Sequence, residues 1–78
     1  MHYVYLLRCS DDSIYTGCTT NVDERLKRHQ AGYIEYTRKH LPVELVFYAA
    51  FPNQAKAYAF EKYLKSGSGF AFRNKHLI

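Results

Sequence analysis

The sequence predicts an α/β fold of the α+β kind, a small three-stranded antiparallel sheet flanked by about three helices. Three observations carry this reading. Two short strand-forming runs, Tyr3 to Cys9 and Ile14 to Thr19, are separated by Ser10-Asp11-Asp12-Ser13, whose side chains favour turns, so they read as a hairpin. A third run, Val43 to Phe51, holds the strongest strand signal in the chain and stops at Pro52. The intervening stretches carry helix-start signals and apolar residues at helical spacing. Because 78 residues leave little room for a second core, residues 1–78 are read as one domain.

The first strand has apolar side chains on both faces, Val4 and Leu6 against Tyr3, Tyr5 and Leu7, as expected of a central strand covered from both sides. With Ser10 to Ser13 as the loop, Arg8 pairs with Tyr15 and Tyr5 with Cys18, and Tyr5 and Tyr15 are expected on the same side of the sheet. The second strand is expected at an edge. Its Gly17 lacks a Cβ, which either lets a helix end or a phosphate come close or marks a strand-exit turn.

Asn21, with Glu24 three residues on, starts a helix over Val22 to Ala31, and Gly32 suits its C′ position. Asp23 with Lys27 and Glu24 with Arg28 form opposite-charge pairs on the outer face. Arg25 is left out of these pairs and shares the sheet-facing side with Val22, Leu26 and His29. A lone guanidinium is costly to bury there without an anion, which Glu61 or a bound phosphate could supply; the plain alternative is a rim or ion-pair residue. Tyr33 to Pro42 shows no helical or strand period and reads as a polar loop. Its consecutive Arg38, Lys39 and His40 are either a basic contact for nucleic acid or part of a long connection. Asn53 caps a helix from about Gln54 to Lys65 with Ala57, Phe60 and Leu64 as its buried stripe. Glu61 sits at the border of that stripe, where a carboxylate needs a metal, an arginine or hydrogen-bond donors. Ser66-Gly67-Ser68-Gly69 is expected to break this helix, leaving Phe70 to Leu77 as a short final one that contains Asn74.

Composition narrows the function classes. Hydrophobic residues at 47% and aromatics at 17% are too abundant for a disordered chain. No segment approaches the roughly 20 apolar residues of a membrane span, and the N-terminus lacks a charged-then-apolar signal region, so the chain is expected in the cytoplasm without a membrane partner. Cys9 and Cys18 lie out of register on the paired strands, beyond the ~7 Å that a disulfide allows, and are expected as free thiols. The net charge is +4, and residues 1–61 are balanced, so the surplus is Lys62, Lys65, Arg73 and Lys75 in a tail without acids. A basic, aromatic tail suits a phosphate backbone, although a solvated helix face accounts for the charge equally well. There is no serine or cysteine nucleophile with its base, no zinc-ligand spacing and no phosphate-cradling Gly-rich loop. The polar groups pointing inward from separate elements are Tyr5, Tyr15, Arg25, His29 and Glu61.

Tyr3-Val4-Tyr5, then nine residues, then Tyr15-Thr16-Gly17, then Arg25 ten residues beyond Tyr15, resembles the GIY-YIG nuclease domain of homing endonucleases, bacterial excision-repair incision proteins and some restriction enzymes. The likeness is greatest to the small stand-alone bacterial members and runs over nearly the whole chain, since His29, Glu61 and Asn74 also fall where the family keeps functional residues. Tyr3 stands in place of the family's Gly, and Thr16 in place of its middle Ile. The resemblance implies a metal-dependent endonuclease that hydrolyses phosphodiester bonds in DNA, nicking or structure-specific, with a link to repair or recombination.

It also implies roles. Tyr5 or Tyr15 would act on the attacking water, with Arg25 favouring the phenolate and clamping the scissile phosphate. Glu61 would be the sole protein ligand of one Mg²⁺ or Mn²⁺. His29 would orient a tyrosine or the phosphate, and Asn74 would support the site from the last helix. Arg38, Lys39, Lys62, Lys65, Arg73, Asn74 and Lys75 are the expected nucleic-acid contacts. The competing class is a non-catalytic module that keeps the fold and binds nucleic acid, or one that acts only through a protein partner that targets it, because no part of the chain reads as a separate DNA-recognition domain. Oligomeric state stays open: a single site cuts one strand, so double-strand cleavage needs two copies or two encounters.

Overall fold

Alternation along strand β1 (His2–Arg8) sorts the molecule into two layers. The computed structural model describes residues 1–78 and shows Val4, Tyr5, Leu6 and Leu7 of this strand all buried, as its central position requires. Strands β2 (Ile14–Thr19) and β3 (Glu44–Phe51) flank it in the order β2-β1-β3, both pairings antiparallel. Helices α1 (Val22–Gln30), α2 (Glu35–Arg38), α3 (Gln54–Leu64) and α4 (Gly67–His76) complete the fold.

Val4 and Leu6 pack on one face against Ala57 and Leu64 of α3, with Phe47, Phe51, Phe60 and Leu77 closing around them. Tyr5 and Leu7 face the other way, into a cluster with Cys9 and Val43 that Leu26 of α1 and Leu41 complete. Helices α1 and α3 are fixed by side-chain caps: Asn21 accepts from the Glu24 amide and Asn53 from the Lys56 amide, as their positions before helical runs predict. No helix is long and apolar enough to cross a membrane.

Three expectations are corrected. The hairpin register is one residue off, with Arg8 opposite Ile14, Leu7 opposite Tyr15 and Tyr5 opposite Gly17. Cys9 belongs to the loop, its amide donating to the Ser13 carbonyl at 2.8 Å, while Asp12 takes a left-handed φ of 67° and the Asp11 carboxylate accepts from Ser13. A one-residue slip exchanges faces, so the expected pairing would have separated Tyr5 from Tyr15, and the observed one is what puts them together. Second, the expected loop from Tyr33 to Pro42 holds the short helix α2, which buries Thr37 completely; one turn is too brief to show a period. Third, α4 begins at Gly67, not Phe70. The Ser66 hydroxyl accepts from the Gly69 amide at 3.2 Å, and Gly69 lies so close to the Tyr63 carbonyl that no Cβ fits between them. Small residues that read as a helix break thus bring α4 tightly against the end of α3.

Candidate active site

The face that holds Tyr5 carries a line of buried hydrogen bonds. Tyr5 Oη lies 2.8 Å from His29 Nε2, and His29 Nδ1 lies 2.7 Å from Thr37 Oγ1. All three residues are at most 1% exposed, so each polar atom depends on the others rather than on water. The Asn21 cap sets the phase of α1, which turns His29 in its last turn toward the sheet. Gly17 makes room for Tyr5: a Cβ there would lie 2.5 Å from the phenol oxygen and 2.6 Å from Cζ. The close approach that its missing side chain allows is therefore by the Tyr5 ring, not by a helix end or a strand-exit turn. Tyr15 stands edge-on to His29 at 4.9 Å between centroids, 6.2 Å from Tyr5, and its other side meets Tyr36 of α2 at 5.4 Å.

Burial, reinforced by the Arg25 charge, holds His29 below the usual imidazole range, so the ring is neutral at pH 7. Either neutral tautomer satisfies both of its contacts, because phenol and threonine hydroxyl can each donate or accept. Burial and the neighbouring Tyr15 push the Tyr5 phenol well above its ordinary value, and these outweigh the opposing pull of Arg25. Arg25 pulls Tyr5 toward the phenolate, as expected of an adjacent cation, but burial wins and Tyr5 stays protonated at neutral pH. Tyr15, half-buried, is the phenol of the pair that reaches solvent.

Arg25 is half-buried beside Tyr5 and has no carboxylate partner; the ion pairs of the chain are His40 with Asp11 and Lys65 with Glu61. The Arg25–Glu61 pair considered from sequence does not form. Glu61 belongs to α3, on the opposite face of the sheet, and reaches the edge strand β2 from that side. Its Oε1 accepts from Cys18 Sγ at 3.4 Å and its Oε2 from Lys65 Nζ at 3.3 Å. Burial and the Glu61 charge push the Cys18 thiol up to about 12, which keeps it a donor to the carboxylate; both cysteines are free. The five sequence-predicted residues are therefore divided, Tyr5, Tyr15, Arg25 and His29 on one face and Glu61 on the other. The two groups meet around the edge of β2, where Arg25, Cys18 and Thr19 share an opening with Tyr58 and Gln54 of α3.

No three His, Cys, Asp or Glu side chains converge on a metal-sized site, so Glu61 would be a lone protein ligand. That fits a hard cation that keeps most of its water, such as Mg²⁺, and Lys65, 59% exposed on a flexible stem, can give way.

Of the expected nucleic-acid contacts, Arg38, Lys39, Lys62, Lys65, Asn74 and Lys75 are exposed. Arg73 is half-buried, its guanidinium 4.4 Å from the Phe70 ring centroid and its Nε and Nη2 donating to Asn74 Oδ1 at 3.2 and 3.0 Å. Asn74 supports Arg73 rather than the tyrosines. Sequence reasoning missed Thr37, the partner of His29, and Tyr36, the outer wall of Tyr15. Both lie on α2, and no spacing signal points to either.

Residues 1–75 match the GIY-YIG catalytic domain. A UPF0213 protein of Clostridium perfringens is 46% identical over 66 residues, spanning 83% of this chain and 71% of the relative. One from Haloquadratum walsbyi is also 46% identical over 66 residues, spanning 83% and 74%. The solution NMR structure of the UPF0213 protein BH0048 from Bacillus halodurans superposes with a TM-score of 0.59 at 42% identity, covering 95% of this chain and 82% of that one. The observed register brings the tyrosines of the two tripeptides to one face, and with a family match over residues 1–75 the chain belongs to the GIY-YIG nuclease family.

Proposed function

We propose that the chain is a divalent-metal-dependent endonuclease that hydrolyses phosphodiester bonds in DNA, cutting one strand per encounter. The observation that carries this reading is Arg25, half-buried beside the Tyr5 phenol without an acidic partner. A guanidinium so placed calls for an anion, and a phosphodiester offers two oxygens to its fork.

The remaining groups divide the work. Tyr15, open to solvent, orients the attacking water, while Arg25 binds the scissile phosphate and stabilises the charge that builds on it. Tyr5, His29 and Thr37 are positioning residues: their hydrogen bonds fix the wall against which Tyr15 and Arg25 stand. Glu61 is the group that would hold Mg²⁺ or Mn²⁺ at the β2 edge. A cation bound there supplies further counter-charge to the phosphate oxygens.

Nicking of supercoiled plasmid in Mg²⁺ or Mn²⁺ tests the proposal, with the native chain compared to Arg25→Ala and Glu61→Ala. Loss of one charge-stabilising group is expected to slow nicking by about 100-fold or more in each variant. A native chain that cuts nothing yet shifts DNA with a steep salt dependence would establish the binding module instead.

A further inference from the structure

The opposite end of β2 opens onto a second groove, of about 390 Å³, which none of the proposed catalytic steps uses except through Tyr15. Tyr15 of β2, Tyr36 of α2 and Phe70 of α4 contribute aromatic surface, Lys65 and Arg73 contribute charge, and Leu64 lies beneath. The volume falls at the small end of ligand sites, roughly 300–1,000 Å³. Tyr36 is 56% and Phe70 51% exposed, so neither ring is consumed by the core. No acid lines the groove.

Arg73 is held in advance. Its guanidinium rests on the Phe70 ring, and Asn74 takes two of its donors, which fixes the fork while leaving the other N–H groups free. Rings from three elements beside two cations match a ligand with both a flat π-face and a phosphate. A nucleotide has that chemistry, and its base face is accessible only when the base is neither paired nor stacked within a duplex.

We propose that this groove is a nucleobase subsite, taking an unpaired base next to the scissile phosphate against Tyr36 and Phe70, with Arg73 and Lys65 on the adjoining phosphate. The inference rests on the nuclease reading for its place in the reaction, since Tyr15 borders both the groove and the hydrogen-bonded cluster. It makes unpaired strand, rather than intact duplex, the preferred substrate.

A short single-stranded DNA carrying 2-aminopurine, titrated with the native chain in EDTA, tests the subsite without cleavage. Stacking in the groove is expected to change the probe's fluorescence with the single strand but not with the same strand in full duplex. Tyr36→Ala and Phe70→Ala should each weaken binding by about 5- to 150-fold, the range that stacking one base gives. Tyr36→Phe keeps the ring and should bind like the native chain, and melting curves of all variants show whether they are folded. Duplex binding as tight as single-strand binding, no binding at all, or folded alanine variants that bind like the native chain would each overturn the proposal. Stacking in EDTA with cleavage of neither the single strand nor plasmid in Mg²⁺ or Mn²⁺ would leave the subsite standing and remove the nuclease reading; cleavage with unaffected alanine variants would do the reverse.

Discussion

The two faces of β1 are buried to the same degree and built on different physics. On the side of α3, Val4 and Leu6 meet Ala57 and Leu64 in contacts that have no preferred direction. On the side of α1, Tyr5, His29 and Thr37 are equally buried but joined by directed hydrogen bonds, and no buried side-chain donor or acceptor in the chain lacks a partner. Apolar contacts reward area and tolerate repacking, whereas a buried polar chain penalises any arrangement that leaves one member unpaired by roughly 1–3 kcal/mol. Both faces bury apolar clusters, and the hydrogen-bonded line on the second also specifies where the rings stand. Around the edge of β2, between them, are the groups left open to a substrate.

Leu6→Ala should break the first face. At 0% exposure its truncation is expected to cost about 2–5 kcal/mol in chemical denaturation, while the folded fraction keeps the native activity per molecule. If activity fell out of proportion to folded protein, the separation of the faces would be wrong. Gly17→Ala strikes the second face, because its Cβ would sit 2.5 Å from the Tyr5 oxygen. The ring must move, at a cost of about 1–3 kcal/mol, and nicking should fall further than the stability loss accounts for. Native-like stability and nicking in that variant would show that the Tyr5 ring is not held by Gly17.

Thr37→Val is subtler. It keeps shape and removes one hydrogen bond, and His29 can leave Nδ1 as a bare acceptor by choosing its other tautomer. The expected loss therefore sits at the low end of about 1–3 kcal/mol, with Thr37→Ser restoring most of it. Equal destabilisation by Val and Ser would assign the effect to packing and not to the hydroxyl.

Much of the architecture is legible because it is written in neighbouring residues. The three strands, the central place of β1 and the caps at Asn21 and Asn53 follow from alternation and from side chains beside the helices they start. The hairpin register is not, since four turn-forming residues at Ser10 to Ser13 disguise the fact that Cys9 also belongs to the loop. Thr37 is illegible for a similar reason: a single helical turn carries no period, and its partner lies in another element. The position of Glu61 shows a further limit. Ala57 and Leu64 reveal that α3 buries a stripe, but not which face of the sheet receives it, so Glu61 could be placed near the core and not on the far side of β2.

The smallest effect sharpens the comparison most, because it reads the polar face without a mutation. Burial and Arg25 lower the folded-state affinity of His29 for a proton, so below about pH 6.5 the unfolded chain takes up a proton that the folded chain refuses. The unfolded state then binds more protons, and stability must fall as pH falls. The contribution is fully present above about pH 6.5, declines by at most about 1.4 kcal/mol per pH unit below it, and levels off once the folded chain also protonates. Denaturation midpoints measured between pH 8 and pH 5, with NMR titration of the histidine rings alongside, separate this group from His2, His40 and His76. His29 should still be neutral where an ordinary imidazole is half-protonated. A His29 ring that titrates at or above the ordinary value, with stability rising on acidification, would mean that the imidazole is charged in the fold, and the line from Tyr5 to Thr37 would then hold an imidazolium in place of a neutral ring.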